Sequence, residues 1–252
     1  MAVVITCGIQ KGGSAKTTTA GTLSYLLSRE HRVLAVDLDS QGNLTELLTQ
    51  QDIYDFHGQT ILEAMKEQDA RGYIHRIDDT LHILTAEDLL ATFPRWLYSE
   101  YGDNRSLVLD KTLEKVKDDY DYILIDTPPA LGDQTINALC ASDAVVVLFE
   151  ASRFCYSALE RFLETVGHAQ RKVNPKLKVA GILRSMIDSR RTDSKAFIEL
   201  VEEDYPELVF ETIISRKAAT GRLPINGFFN NSELRQAVEP FHDVVKELIN
   251  RV

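Results

Sequence analysis

Residues 2–29 constrain the fold more than any other stretch of this chain. The apolar run 2–9 leads directly into Gln10-Lys11-Gly12-Gly13-Ser14-Ala15-Lys16-Thr17-Thr18-Thr19, and Leu23, Leu26 and Leu27 then fall on one helical face. A glycine-rich turn between a strand and a helix gathers backbone N–H groups at the positive end of the helix, where phosphate fits. Lys16 is placed to reach the outer phosphates, and the Thr17 hydroxyl to hold Mg²⁺. The strict pattern of such loops, G-x-x-x-x-G-K-[ST], is missed at both glycines, by Gln10 and by Ala15. The reading rests on context: a strand before, two adjacent glycines, and a helix after. Lys11 is a second lysine, at the mouth of the loop, and is expected to have no role inside its own subunit.

The same rhythm continues downstream. Residues 33–36, 81–84, 122–125, 144–149 and 179–183 are apolar nearly throughout, and 61–66, 87–98, 106–117, 134–140, 156–170 and 192–203 carry helical patterns. Strands buried on both faces and separated by helices imply an α/β fold, a doubly wound, mostly parallel sheet with helices on both faces. Ligands of such sheets lie beyond the carboxyl ends of the strands. Residues 50–58 and 99–105 read as surface loops, 218–231 as irregular chain rich in Gly, Pro and Asn, and 233–238 and 241–251 as closing helices. No repeat or linker interrupts the pattern, so one domain over residues 1–252 is expected.

Acidic residues arrive where that topology puts the ligand. After the second strand come Asp37 and Asp39, which alternation points the same way. One is expected near the metal and Lys16, the other to orient a water for attack on the γ-phosphate. The run 122–125 delivers Asp126 at its end, the arrangement that holds the hydration shell of Mg²⁺ behind a phosphate loop. Thr127-Pro128-Pro129 then form a stiff loop suited to sensing the γ-phosphate.

Composition excludes several classes. With 44% hydrophobic and 26% charged residues the chain is an ordinary globular one, and no apolar run approaches the ~18 residues of a membrane span. The first strand has no basic leader, which sets the expectation of a cytoplasmic location. A net charge of −10 means that any nucleic-acid contact must come from a local patch. Cys7, Cys140 and Cys155 lack metal spacing and read as small buried apolar groups.

In residues 11–18, 36–43, 122–129 and Thr135-Ile136-Asn137-Ala138-Leu139 the chain resembles the ParA/Soj partition ATPases. These belong to a wider group with a two-lysine phosphate loop that also includes MinD. The resemblance covers nearly the whole chain. It implies ATP and Mg²⁺ as cofactors, with Gly12, Gly13, Ser14, Ala15, Lys16, Thr17 and Thr18 around the phosphates and Thr17 and Asp126 at the metal. It makes Lys11 the signature lysine, which crosses a homodimer interface to the ATP of the other subunit, and Asp39 the water-orienting acid. Arg216 falls where an arginine often borders the adenine, although Ser215 replaces the usual proline, as Ala15 replaces a usual glycine and Ser40 a common proline.

The resemblance further implies nonspecific double-stranded DNA as a partner of the ATP dimer, a ParB-class DNA-bound protein that speeds turnover, and association with the nucleoid. Arg184, Arg190, Arg191, Lys195, Arg216, Lys217 and Arg222 cluster late in the sequence, and of these Arg190, Arg191, Arg216, Lys217 and Arg222 are the expected DNA contacts. The same group offers a MinD-like membrane ATPase and an ATP-dependent amide- or ring-forming synthetase. The first needs a membrane-binding tail. Phe241, Val244, Val245, Leu248 and Ile249 form an apolar stripe, but Asp243 and Glu247 stand on the polar side, where a membrane helix favours basic residues, so this helix is expected to pack on the core and no membrane partner is expected. The second needs a further substrate constellation, and none is evident. A redox role like that of the nitrogenase iron protein needs a cysteine pair at the dimer axis, which the three cysteines do not supply.

Overall fold

The computed structural model describes residues 1–102, 104–187, 192–229 and 231–252, with 192–194 by their backbone alone. Strands β1 (Val3–Gly8), β2 (Val33–Asp37), β3 (Ile74–Arg76), β4 (Leu81–Leu84), β5 (Tyr122–Asp126), β6 (Ala144–Phe149) and β7 (Lys178–Arg184) form one sheet in the order β3-β4-β2-β5-β1-β6-β7. Every neighbouring pair runs parallel except β3, an antiparallel edge on β4. The intervening helices are α1 (Lys16–Leu27), α2 (Asn43–Thr49), α3 (Ile61–Glu67), α4 (Phe93–Ser99), α5 (Val108–Glu114), α6 (Asp133–Ala141), α7 (Arg153–Lys172) and α8 (Thr192–Asp204). After β7 and α8, α9 (Ala218–Gly221), α10 (Leu223–Asn226), α11 (Leu234–Val238) and α12 (Phe241–Arg251) follow. This is the doubly wound, mostly parallel architecture that the apolar runs imply.

Successive strand residues face opposite sides of a sheet, and both sides here are buried. Leu34, Val36, Ile123 and Ile125 join one core with Leu62, Leu97 and Leu113 of α3, α4 and α5. Ile5, Ala35 and Leu124 join the other with Leu23, Phe162 and Leu248 of α1, α7 and α12. Gly21 allows α1 and α2 to touch, because a Cβ there would stand 2.7 Å from Leu47 Cδ2. That close approach holds α2 and the loop before it beside the start of α1.

The closing helix α12 lies on the core, as its acidic polar side suggests. Phe241, Val244 and Leu248 are buried among residues of α1 and α7. Glu247 accepts the backbone N–H groups of Glu211 at 2.7 Å and Thr212 at 2.9 Å, and Arg251 donates to the carbonyls of Ala180, Leu208 and Val209. No helix among the described residues is long and apolar enough to cross a membrane.

Several elements differ from the sequence expectation. The polar segment after β2 contains α2, whose Leu44, Leu47 and Leu48 are buried. β3 is only three residues long, too short for its pattern to register. The helical pattern over 87–98 divides into a 3₁₀ turn, Asp88–Thr92, and α4, with Pro94 in its first turn, where a missing N–H costs nothing. The stretch 218–231 folds in part into two one-turn helices, α9 and α10.

Candidate nucleotide-binding site

The carboxyl ends of β1, β5 and β2 are level, with Cys7 paired to Asp126 and Asp126 to Asp37. β1 ends at Gly8, and the chain turns through residues 9–15 before α1 begins at Lys16. Two residues of the turn have positive φ, Gly13 at 76° and Ala15 at 62°. Glycine takes that conformation freely; alanine does so at a steric cost. Within the loop, the Ser14 hydroxyl and the Lys16 ammonium both donate to the Lys11 carbonyl, at 3.2 and 2.7 Å. The Ser185 hydroxyl donates to the Ser14 carbonyl at 3.1 Å and ties the loop to the end of β7.

Behind the loop, the Thr17 hydroxyl donates to Asp126 Oδ2 at 2.6 Å. Asp126 is fully buried, and its Oδ1 has no hydrogen-bond partner among the described residues. Burial pushes its carboxyl up to about 8, the charge of Asp37 adding to the effect and Thr17 and Lys16 opposing it. An orphaned carboxylate oxygen next to a hydroxyl is a hard-oxygen set that fits Mg²⁺ and its waters. Burial likewise lowers the Lys16 ammonium, with Asp126 and Asp39 pulling the other way.

Asp37 and Asp39 do not share one orientation. The strand stops at Asp37, so alternation does not carry through to residue 39. Asp37 is buried and turned into its own segment, accepting the Thr45 N–H and hydroxyl, each at 2.9 Å, and the Asp39 N–H at 3.1 Å. It clamps the loop before α2, and burial raises its carboxyl to about 7. Asp39 is half-buried, caps the Gln41 N–H at 3.1 Å and faces the cavity.

That cavity, about 600 Å³, is lined by residues 12–18, Asp39, Pro128 and Pro129, so it gathers the whole phosphate loop, one acid and the proline turn that the sequence singles out. It is also lined by Gln41, Asn43 and Glu46 around α2 and by Pro224 of α10, which sequence reasoning missed. The i, i+3, i+4 leucines of α2 were the available signal.

Two expectations change in detail. Lys11 does have a partner in its own chain: its ammonium lies 2.7 Å from Glu150 Oε2 and 3.4 Å from the Ser152 hydroxyl. Arg216 stands outside the cavity lining, with Nη2 3.7 Å from the other oxygen of Glu150. Among the late basic residues, Arg184 is buried and bonded to Glu202 and to the carbonyls of Phe210 and Glu211, so it serves the fold rather than a surface. Lys217 pairs with Glu239 at 3.4 Å, and Arg222 makes a two-pronged pair with Glu233. Arg190 and Arg191 lie outside the described residues.

Residues 2–179 match the model of a family described as an AAA domain. The chain is 34% identical to the sporulation initiation inhibitor protein Soj of Bacillus subtilis strain 168, over 90% of this chain and 89% of that one. It is also 34% identical to the chromosome partitioning protein ParA of Myxococcus xanthus strain DK1622, over 89% of this chain and 79% of that one. The chain belongs to the ParA/Soj family of partition ATPases. Among solved structures, cobyrinic acid a,c-diamide synthase from Mycobacterium smegmatis with bound ADP and magnesium is similar at a TM-score of 0.82 and 31% identity, over 99% of this chain and 96% of that one.

The ParA/Soj resemblance puts glycine where this chain has Ala15, and the left-handed φ of that residue gives the replacement a physical cost. Relief of about 1–2 kcal/mol of strain, less about 0.4–1 kcal/mol of added unfolded-state freedom, leaves Ala15→Gly neutral to slightly stabilising. Ala20→Gly, within α1, is expected to destabilise by at least about 1 kcal/mol. Thermal melts of the two variants check this, and equal losses at both positions would contradict the strain.

Proposed function

We propose that this chain is an ATP-dependent dimeric switch that hydrolyses Mg²⁺·ATP slowly, binds duplex DNA without sequence preference in its ATP form, and drives segregation or positioning of a plasmid, chromosome region or other cargo. The observation that carries the reading is the division of labour between the two lysines. Lys16 lines the phosphate cavity, whereas Lys11 does not, and its ammonium is held at the edge of the site with about a quarter of its side chain exposed. A lysine so placed is available to a neighbouring molecule. Two positive charges from two chains on one triphosphate favour a closed dimer only while the γ-phosphate remains.

In this reading, backbone N–H groups of residues 12–18 wrap the phosphates, Lys16 neutralises the outer ones and Thr18 adds a contact. Thr17 and Asp126 hold Mg²⁺ and its waters, and the ion supplies charge neutralisation of the phosphates. Asp39, on the cavity wall, orients the attacking water. The Pro128-Pro129 turn leads into α6 and senses whether the γ-phosphate is present. Arg216, Lys217 and Arg222 lie on one segment, 216–222, and join Arg190 and Arg191 as proposed DNA contacts. Pairing doubles this set, and each phosphate contact adds counterion release. A ParB-class DNA-bound partner would accelerate turnover by ordering the loops around Asp39. The protein would then work as one ATPase domain in the cytoplasm, on the nucleoid.

The buried apolar side of α12 speaks against a MinD-like membrane tail. The likeness to a protein named as a diamide synthase favours a second reading, ATP-dependent amide formation, which needs a substrate subsite next to the phosphate cavity. One binding assay separates the readings: nonspecific duplex DNA and liposomes side by side, with ATP or ADP, across a salt series. DNA retention that needs ATP and falls steeply with salt is expected; liposome retention alone, or neither, would overturn the partition reading.

Two variants test the assigned roles. Lys11→Ala is expected to keep nucleotide binding and to lose ATP-dependent pairing and DNA retention, with an unchanged dimer fraction in sedimentation counting against the cross-subunit role. Asp39→Ala is expected to hold the ATP dimer on DNA with turnover lowered about a hundredfold or more, on the scale typical for a positioned proton-transfer group. Hydrolysis at the parental rate would remove Asp39 from that role.

A further inference from the structure

One carboxylate, Glu150, faces two of the cations that lie outside the cavity lining, Lys11 and Arg216. Glu150 follows the last residue of β6 and is fixed by its surroundings. Its N–H donates to Cys155 Sγ at 3.3 Å, and Ser152, two residues on, caps α7 by accepting the Cys155 N–H. From that position Oε2 receives the Lys11 ammonium at 2.7 Å and Oε1 lies 3.7 Å from the Arg216 guanidinium. The Lys11 and Glu150 side chains are each about three-quarters covered, so solvent screens the pair less than it would a fully exposed one.

We propose that Glu150 is an internal counter-anion that competes with the partner's triphosphate for Lys11, and so sets how readily the nucleotide-loaded chain pairs. The proposal rests on the cross-subunit reading of Lys11. An ammonium cannot keep a charge-assisted bond of 2.7 Å to its own chain and also give its full charge to a phosphate of another, so pairing includes the cost of leaving Glu150. A second effect has the same sign. The carboxylate stands at the edge of the site, where it repels the anion that the partner brings. Glutamine at this position keeps the volume and one acceptor oxygen while removing the charge, so both penalties shrink. Arg216 retains an oxygen to meet, so the change leaves no stranded partner in the interior.

The test measures dimer dissociation constants by sedimentation, with Mg²⁺ and adenylyl imidodiphosphate, for the parent, Glu150→Gln, Lys11→Ala and the double variant. A partly exposed pair alters an equilibrium by about two- to threefold, and a two-fold symmetric dimer counts it twice, so E150Q is expected to tighten pairing by roughly fivefold. In the K11A background, where pairing is weak and only the repulsion by Glu150 is left to relieve, the same change is expected to tighten pairing by clearly less than in the parent, a coupling that a merely structural role for Glu150 would not produce. Melting temperatures establish that each variant is folded, and Glu150→Ala takes the place of the glutamine variant if that one is not. If E150Q pairs no better than the parent while K11A pairs weakly, the counter-anion role is overturned and the cross-subunit reading stands. If K11A pairs like the parent, the cross-subunit reading fails and takes this proposal with it.

Discussion

Burying a carboxylate away from water costs several kcal/mol unless something compensates, yet Asp37 and Asp126 are buried side by side on adjacent central strands at the same level. The two are resolved differently. Asp37 spends both oxygens on the Thr45 hydroxyl and on backbone N–H groups, and so fixes the entry to α2. Asp126 keeps one oxygen for Thr17 and leaves the other without a partner among the described residues. That asymmetry leaves in the floor of the site a carboxyl that burial holds back from ionising and that a nearby cation would help to ionise. Lys16, itself desolvated, and in the proposed function a magnesium ion would supply that positive charge when the nucleotide is in place. The parallel sheet is the means of holding this arrangement, because only strands covered on both faces bring three carboxyl ends to one dry level beneath a helix N-terminus.

The lysines divide the work by depth. Lys16 is buried and belongs to the cavity, while Lys11, five residues earlier, sits on the far side of the turn and meets Glu150 at the end of β6. In the proposed dimer, separation across the loop would let one residue serve the chain's own phosphates and the other serve a neighbour's. The same carboxylate that steadies Lys11 also meets Arg216 on the segment proposed for DNA, so the nucleotide face and the basic segment share an anion. Pairs of this kind at Lys217 and Arg222 moderate a basic surface on a protein of net charge −10, and in the proposed function duplex DNA would have to compete with them.

Much of this was legible in the sequence because the features are local. Apolar runs of five or six residues ending in Gly or Asp mark β1, β2 and β5, the loop motif brings Lys16 and Thr17 to the carboxyl end of β1, and the end of β5 brings Asp126 beside them. The short or mixed elements were not legible. β3 has three residues, and the leucines of α2 were masked by a polar, glycine-containing lead-in. The orientation of Asp39 relative to Asp37 depends on where β2 ends, which alternation alone does not reveal. The partner of Lys11 is 139 residues away in sequence and is a product of strand order. Likewise, nothing in the run of late basic residues distinguishes Arg184, buried by packing at the end of β7, from Arg216 and Arg222, which are exposed.

The most direct test is an experimental structure of the chain with Mg²⁺ and a nonhydrolysed ATP analogue, read at one atom, Lys11 Nζ. The account predicts a two-fold dimer in which that nitrogen has left Glu150 and lies within hydrogen-bond distance, about 3 Å, of a phosphate oxygen held by the partner subunit. A loaded structure in which Lys11 stays on Glu150, with no neighbouring chain near its ammonium, would contradict it.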